Sequence, residues 1–131
     1  MKQQRHTKQR QLVLEAVQNR CDHPTADQIY LDVRARDERI SRGTVYRNLG
    51  VLAENGEILH VKVPAADRFD WRTEYHYHLF CTQCGAVMDA PLAYDPALDR
   101  GLSQQTGYDI QRHRTVFEGI CPRCREKAEK D

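Results

Sequence analysis

Apolar positions along this chain recur first with a helical period and then with a strand period. Residues 8–19 read as a helix with a short apolar stripe of Leu12, Ala16 and Val17, broken at His23-Pro24. Thr25-Ala26-Asp27-Gln28 is a capping-box start, and Ile29 and Val33 share one face of the helix that follows. A polar turn over 36–40 leads to Ser41, an N-cap residue for a third helix ending near Asn55-Gly56, where glycine suits the left-handed exit. Val45, Leu49 and Leu52 fall at i, i+4 and i+7 and belong inside. Arg42, Tyr46 and Gly50 lie on the opposite side, flanked by Gly43 and Arg47.

Two glycines inside a helix cost roughly 1 kcal/mol each relative to alanine. That cost makes sense where another backbone comes close, either a DNA groove or a neighbouring helix. Beyond Gly56, residues 58–63 and 68–73 alternate as strands around the turn Pro64-Ala65-Ala66-Asp67. Three short helices and a β-hairpin make the pattern of a winged helix-turn-helix. The third helix would enter the major groove, with Arg42, Gly43, Thr44, Tyr46 and Arg47 at the contact.

After Trp71 the character changes. Short strands are expected at 77–80 and 86–89, then a helix from Asp95-Pro96 with Leu98 and Leu102 buried and a stop at Thr106-Gly107. A last strand is expected within 108–119, followed by a charged tail. The expected class is therefore α+β, with a DNA-binding domain at 1–72, a hinge at 73–75 and a small α/β domain at 76–131. About 55 residues hold too few apolar positions for a self-sufficient core, so metal and dimerisation should supply the rest.

The 131 residues are 40% hydrophobic and carry a formal net charge of +1. The charge is unevenly spread: 1–47 hold ten Lys/Arg against six Asp/Glu, and 71–131 hold eight against nine. A mildly basic front half suits a phosphate-facing surface. No apolar run approaches the roughly 18 residues of a membrane helix, and Met1-Lys2-Gln3-Gln4-Arg5-His6 has no apolar signal region. The expected compartment is the cytoplasm, where thiols stay reduced and CxxC pairs read as metal ligands before disulfides.

There are two such pairs, Cys81-Thr82-Gln83-Cys84 and Cys121-Pro122-Arg123-Cys124. Together they make a four-thiolate site of the structural zinc type, clipping one strand pair to the far end of the domain. The alternative, a redox CxxC of thioredoxin type, needs a βαβ context, and neither pair opens an obvious long helix. Cys21, the fifth cysteine, reads as a small packing residue or an incidental thiol.

His76 and His78 stand two apart, on one face if the segment is extended. Asp70, Glu74 and Asp89 are nearby carboxylates, and His23 can arrive from the first domain. Imidazole and carboxylate without thiolate favour Fe(II), Mn(II) or Zn(II), and composition does not choose among them.

His23-Pro24-Thr25-Ala26-Asp27-Gln28-Ile29-Tyr30, Gly43-Thr44-Val45-Tyr46-Arg47-Asn48-Leu49, Arg68-Phe69-Asp70, His76-Tyr77-His78 and both CxxC pairs occur in the order found in the Fur (ferric uptake regulator) family. Over nearly its whole length the chain resembles these metal-dependent transcriptional repressors. Within the family it is most similar to the peroxide-sensing branch. Ferric uptake regulators proper typically carry Glu where this chain has Asp70 and Asp89, and usually a longer histidine cluster.

The resemblance implies structural zinc on Cys81, Cys84, Cys121 and Cys124. It implies a regulatory Fe(II) or Mn(II) site on His23, Asp70, His76, His78 and Asp89, with one octahedral position open for peroxide. His23 and His76 are the ligands it marks for oxidation to 2-oxo-histidine, after which a homodimer leaves its palindromic operator. On this reading the protein is a repressor and not an enzyme. Two other readings remain at this point: a sensor of metal concentration within the same family, and a thiol redox protein using the CxxC pairs. His113, between Arg112 and Arg114, reads as a surface residue or as part of a further metal site.

Overall fold

A computed structural model describes residues 2–130, with side chains for 7–129. The chain forms two compact units, residues 1–73 and residues 74–131. Among the described residues no helix is long and apolar enough to cross a membrane.

The first unit contains helices α1 (Lys2–Gln18), α2 (Ala26–Arg34) and α3 (Arg42–Glu54), then strands β1 (Leu59–Val61) and β2 (Arg68–Asp70), paired antiparallel. The first helix begins six residues earlier than its apolar stripe suggests. That stripe centres on Val13 and Val17, both fully buried, with Leu12 and Ala16 only flanking the core. Helix α2 starts with the expected capping box: the Gln28 amide donates to Thr25 Oγ1 (3.2 Å), and the Thr25 amide donates to Gln28 Oε1 (2.9 Å). Ser41 caps α3, accepting from the Thr44 amide at 3.1 Å, and Gly56 leaves the helix with φ 75°.

Val45, Leu49 and Leu52 are buried as their spacing requires, against Val13, Val17, Ile29 and Val33. Ile40, which the sequence places in a polar turn, instead joins this core. Buried Asn48 on α3 accepts from Arg10 Nε at 3.3 Å, so its amide is not stranded. The strands are shorter than their apolar alternation, three residues each.

The second unit contains β3 (His78–Cys81), β4 (Val87–Asp89), α4 (Pro96–Thr106), β5 (Val116–Gly119) and α5 (Pro122–Lys130). Its sheet has the order β4-β3-β5, with β4 antiparallel and β5 parallel to β3. Asp95 caps α4, Pro96 occupies its first turn, and Gly107 ends it in the left-handed region. Two expectations fail here. Leu98 and Leu102 are 59% and 49% exposed, because among the described residues no layer covers that face of α4; the buried residue of this helix is Asp99. The charged tail is helix α5, and the second CxxC lies at its start. Beyond Tyr77, Phe80, Cys81 and Ala90, no hydrophobic residue among those described in this unit is buried.

Candidate metal centres and DNA-facing surface

The β3–β4 turn carries Cys81 and Cys84, with Gly85 at φ 76° closing it. Cys121 lies in the short link between β5 and α5, and Cys124 in the first turn of α5. Parallel pairing of β5 with β3 sets Cys81 opposite Gly119, which brings the two CxxC segments together. Cys81 Sγ lies 3.8 Å from Cys124 Sγ, and Cys84 Sγ 3.9 Å from Cys121 Sγ; all four sulfurs lie within 4.8 Å of one another. Tetrahedral Zn–S bonds of about 2.3 Å put neighbouring sulfurs about 3.8 Å apart, so this donor set fits zinc in kind, number and spacing.

The backbone amides of Cys84 and Cys121 both point at Cys81 Sγ (3.4 Å each) and lower its thiol to about 6. The Cys124 thiol is pushed up to about 12, first by its contact with Cys121, because crowded sulfurs resist a further negative charge without a cation among them. The CxxC at the head of α5 thus lies in one quartet with the CxxC of the β3–β4 turn.

The histidines and aspartates form one constellation in each unit. In the first unit, His23 Nε2 lies 3.2 Å from Asp70 Oδ2, and both residues are buried. Backbone pairing holds them there. Thr25 bridges to Arg68, the Phe69 amide donates to the Pro24 carbonyl (2.9 Å), and Arg68 Nη1 donates to the His23 carbonyl (3.2 Å). The Arg72 amide donates to Asp70 Oδ1 at 3.0 Å, leaving the other oxygen facing the imidazole. His23 adopts φ 54°, a left-handed conformation made less favourable still by the following proline. Such a backbone costs on the order of 1–3 kcal/mol and persists where the surroundings over-determine it, typically at functional positions. Nothing in the sequence signals this strain.

In the second unit, His76 Nε2 lies 3.0 Å and His78 Nε2 3.5 Å from Asp89 Oδ1, with the two rings 4.5 Å apart. Asp89 sits opposite His78 in the β3–β4 ladder, so the register itself supplies the carboxylate. His76 Nδ1 donates to the Glu74 carbonyl at 2.7 Å, which selects the tautomer whose Nε2 lone pair faces Asp89. Two donors bound at right angles with bonds of roughly 2.1 Å sit about 3 Å apart. The set of two imidazoles and one carboxylate therefore fits a non-thiolate divalent ion, and it is the donor set found around non-haem Fe(II).

On α3, Arg42, Gly43, Tyr46 and Arg47 are exposed and Thr44 is half-buried. A Cβ built on Gly43 or Gly50 would meet nothing within 4 Å, so among the described residues no neighbouring helix accounts for either glycine. Arg42 lies over the Tyr30 ring, 4.6 Å from its centroid. Its guanidinium and the Tyr46 hydroxyl both donate to Asp27 Oδ1.

Sequence reasoning missed one partly buried network. His113 is half-buried and bonded at both ring nitrogens: Nδ1 bonds Asp99 Oδ1 (2.7 Å) and Nε2 bonds the Tyr77 hydroxyl (2.7 Å). Tyr94 stacks on the His113 ring at 4.5 Å, donates to Asp99, and accepts from the His113 amide at 3.0 Å. The network ties α4 and the segment before β5 to the residue between His76 and His78. No short motif announces it, since the partners of His113 lie 14 to 36 residues away in sequence. Cys21 is an exposed thiol that packs into no core.

The sequence model of the ferric uptake regulator family matches residues 1–118. The peroxide-responsive repressor PerR of Staphylococcus aureus (strain USA300) is 34% identical over 124 residues, spanning 94% of this chain and 84% of that protein. The crystal structure of the Campylobacter jejuni peroxide stress regulator superposes with a TM-score of 0.74 at 28% identity, covering 92% of this chain and 91% of that one. The Helicobacter pylori ferric uptake regulator Fur shares the fold, with a TM-score of 0.73 at 23% identity over 90% of this chain and 80% of that one. This chain, an α+β protein with a four-cysteine cluster suited to zinc, belongs to the ferric uptake regulator family of DNA-binding, metal-sensing transcriptional repressors, which are regulators and not enzymes.

Proposed function

We propose that this chain is a repressor that responds to hydrogen peroxide. Cys81, Cys84, Cys121 and Cys124 hold a structural zinc, and His23, Asp70, His76, His78 and Asp89 together hold one regulatory Fe(II) or Mn(II). Residues 73–75 act as the hinge between a DNA-binding domain (1–72) and a dimerisation domain (76–131). The observation that carries this reading is the pair of imidazoles facing one aspartate, His76 and His78 on Asp89, in the same unit as a separate all-thiolate quartet. One donor set suits a closed structural ion and the other suits a redox-capable ion. Similarity to the PerR of S. aureus, named as peroxide-responsive, supports the signal.

Fe(II) held by this set would activate hydrogen peroxide, a chemistry that Mn(II) would not supply. The protein's own residues do the rest. The Glu74 carbonyl and the Asp89 carboxylate hold His76 in one orientation, with its Nε2 toward the metal position. His23 reaches the ion from the DNA-binding domain, so holding or losing this ligand decides how firmly the two domains are coupled. Oxidation at carbon 2 of His76 or His23 inserts one oxygen into the imidazole while the second peroxide oxygen leaves as water. A 2-oxo-imidazole has lost the basic ring nitrogen that binds metal, the domains uncouple and the operator is released.

The exposed apolar side chains of the second unit, Leu98 and Leu102 on α4 with Met88, Leu92, Phe117 and Ile120, support a homodimer closed over that unit and placed on a palindromic operator. To test the reading, Fe(II)-loaded and Mn(II)-loaded protein are treated with low-micromolar peroxide, then assayed for operator binding and for a one-oxygen mass gain on His23 or His76. Loss of binding with modified histidines in the Fe(II) protein alone is the expected result. Full DNA affinity with unmodified histidines refutes peroxide sensing and leaves a sensor of metal concentration. Zinc loss with thiol oxidation as the first event favours the thiol redox reading.

A further inference from the structure

The acidic residue at the head of α2 stands where a DNA-binding surface is least expected to carry one. Asp27 is exposed, in the first turn of α2, and one of its oxygens accepts from both Arg42 and Tyr46. Those two are the first and fifth residues of α3, and both belong to the set expected to meet DNA. Asp27 and Tyr46 also line an open groove that runs to the hairpin residues His60 and Asp67. Every donor that Arg42 and Tyr46 give this carboxylate is one that a duplex must win back.

We infer that Asp27 is a specificity-determining residue of the DNA interface, its carboxylate competing with duplex phosphates for Arg42 and aiming the Tyr46 hydroxyl. This rests on the reading of α3 as the DNA-facing helix. A phosphate that draws Arg42 from Asp27 leaves an unpaired carboxylate beside the backbone, a repulsion present at every sequence. Only a duplex offering base acceptors to both Arg42 and Tyr46 compensates for that loss, so the carboxylate penalises non-specific binding more than operator binding. Hydrogen bonding to Asp27 also raises the Tyr46 phenol above its ordinary value and keeps it a donor.

The test uses full-length, zinc- and Mn(II)-loaded protein and two probes. One is the duplex that the wild-type chain selects from a randomised library, and the other is a scrambled duplex of equal length. Fluorescence anisotropy is read across a salt series. Asp27→Asn should bind the scrambled duplex about two- to fivefold more tightly, the range expected when an exposed ion pair no longer competes. Its salt slope should steepen by about 1, the mark of one extra phosphate contact. Operator affinity should rise less, so the operator-to-scrambled ratio falls. Asp27→Glu, which keeps the charge, should stay within about twofold of wild type on both probes.

Unchanged scrambled-DNA affinity and slope in Asp27→Asn overturn the inference. So does equal weakening on both duplexes, which makes Asp27 a support for helix packing only, and so does Asp27→Glu behaving like Asp27→Asn. A wild-type protein that selects no duplex at all would instead overturn the DNA-facing assignment of α3 itself.

Discussion

Zinc removal should dismantle one unit of this protein and spare the other. The first unit has a core of fully or nearly fully buried aliphatic residues running from Val13 to Ile58. The second buries only Tyr77, Phe80, Cys81 and Ala90 among its described hydrophobic residues, and one of these is a proposed zinc ligand. Cys84 and Cys121 are separated by 36 residues. Cross-linking a loop of that size removes on the order of 13 cal/mol/K of chain entropy from the unfolded state, about 4 kcal/mol at 25 °C. That is between about a quarter and four-fifths of a typical domain's margin of about 5–15 kcal/mol, before the metal–thiolate bonds are considered. Cys121→Ser, or chelation of the wild type, should therefore unfold residues 74–131 at ambient temperature. Amide signals of β3, β4 and β5 should collapse to random-coil positions in a ¹⁵N correlation spectrum, and the dimer should dissociate. The helical signal of α1–α3 should persist to its own higher transition, reported also by the single tryptophan, Trp71. Zinc-free Cys121→Ser protein that unfolds in one cooperative step within about 1 kcal/mol of wild type would refute the reasoning.

Three further outcomes are expected. Leu49→Ala, at a position 1% exposed in the first core, should cost about 2–5 kcal/mol in urea unfolding without changing zinc content. Gly50→Ala should raise the stability of α3 by roughly 0.5–1 kcal/mol, because a methyl there meets nothing within 4 Å among the described residues. If the glycine serves close approach to DNA, the same variant binds duplex DNA more weakly while melting higher. In the partly buried network, the Tyr94 hydroxyl bond holds the Asp99 carboxyl below its ordinary 3.8. A folded-state value below the unfolded one stabilises at pH above the unfolded value and is lost as pH falls through the folded one. Asp99→Asn should thus melt lower than wild type at neutral pH, and the gap should narrow as pH falls below about 4. A gap that stays constant from pH 7 to pH 3 would exclude the carboxylate as its source.

Much of the chemistry is local and was legible in the chain. Caps and stops act within a turn, so Thr25, Ser41, Asp95 and Gly107 mark helix ends wherever the helix is placed. The i, i+4, i+7 spacing of Val45, Leu49 and Leu52 puts them on one side of any α-helix, and a hydrophobic core accepts that side. Two CxxC pairs name a thiolate site because each turn aims two sulfurs the same way. Where the sequence misled, the missing quantity was what covers a surface. Leu98 and Leu102 have core spacing, yet the described residues supply no layer over that face of α4. Ile40 looked like part of a polar turn because its neighbours are polar, and it is buried because it belongs to the same apolar cluster as Val33, Val45 and Leu49.

Sequence alone determined which residues can act as caps, core positions and metal donors, since those properties belong to side-chain chemistry and to a period of 3.6 or 2. Tertiary structure decided which of them meet. Parallel pairing of β3 with β5 gathers four sulfurs from segments 36 residues apart, and the β3–β4 register sets Asp89 against His78. The left-handed turn at His23 and the Asp99–His113–Tyr77 chain exist only once strands and helices have docked. Their energies depend on distances between residues far apart along the chain, and no local pattern encodes those distances.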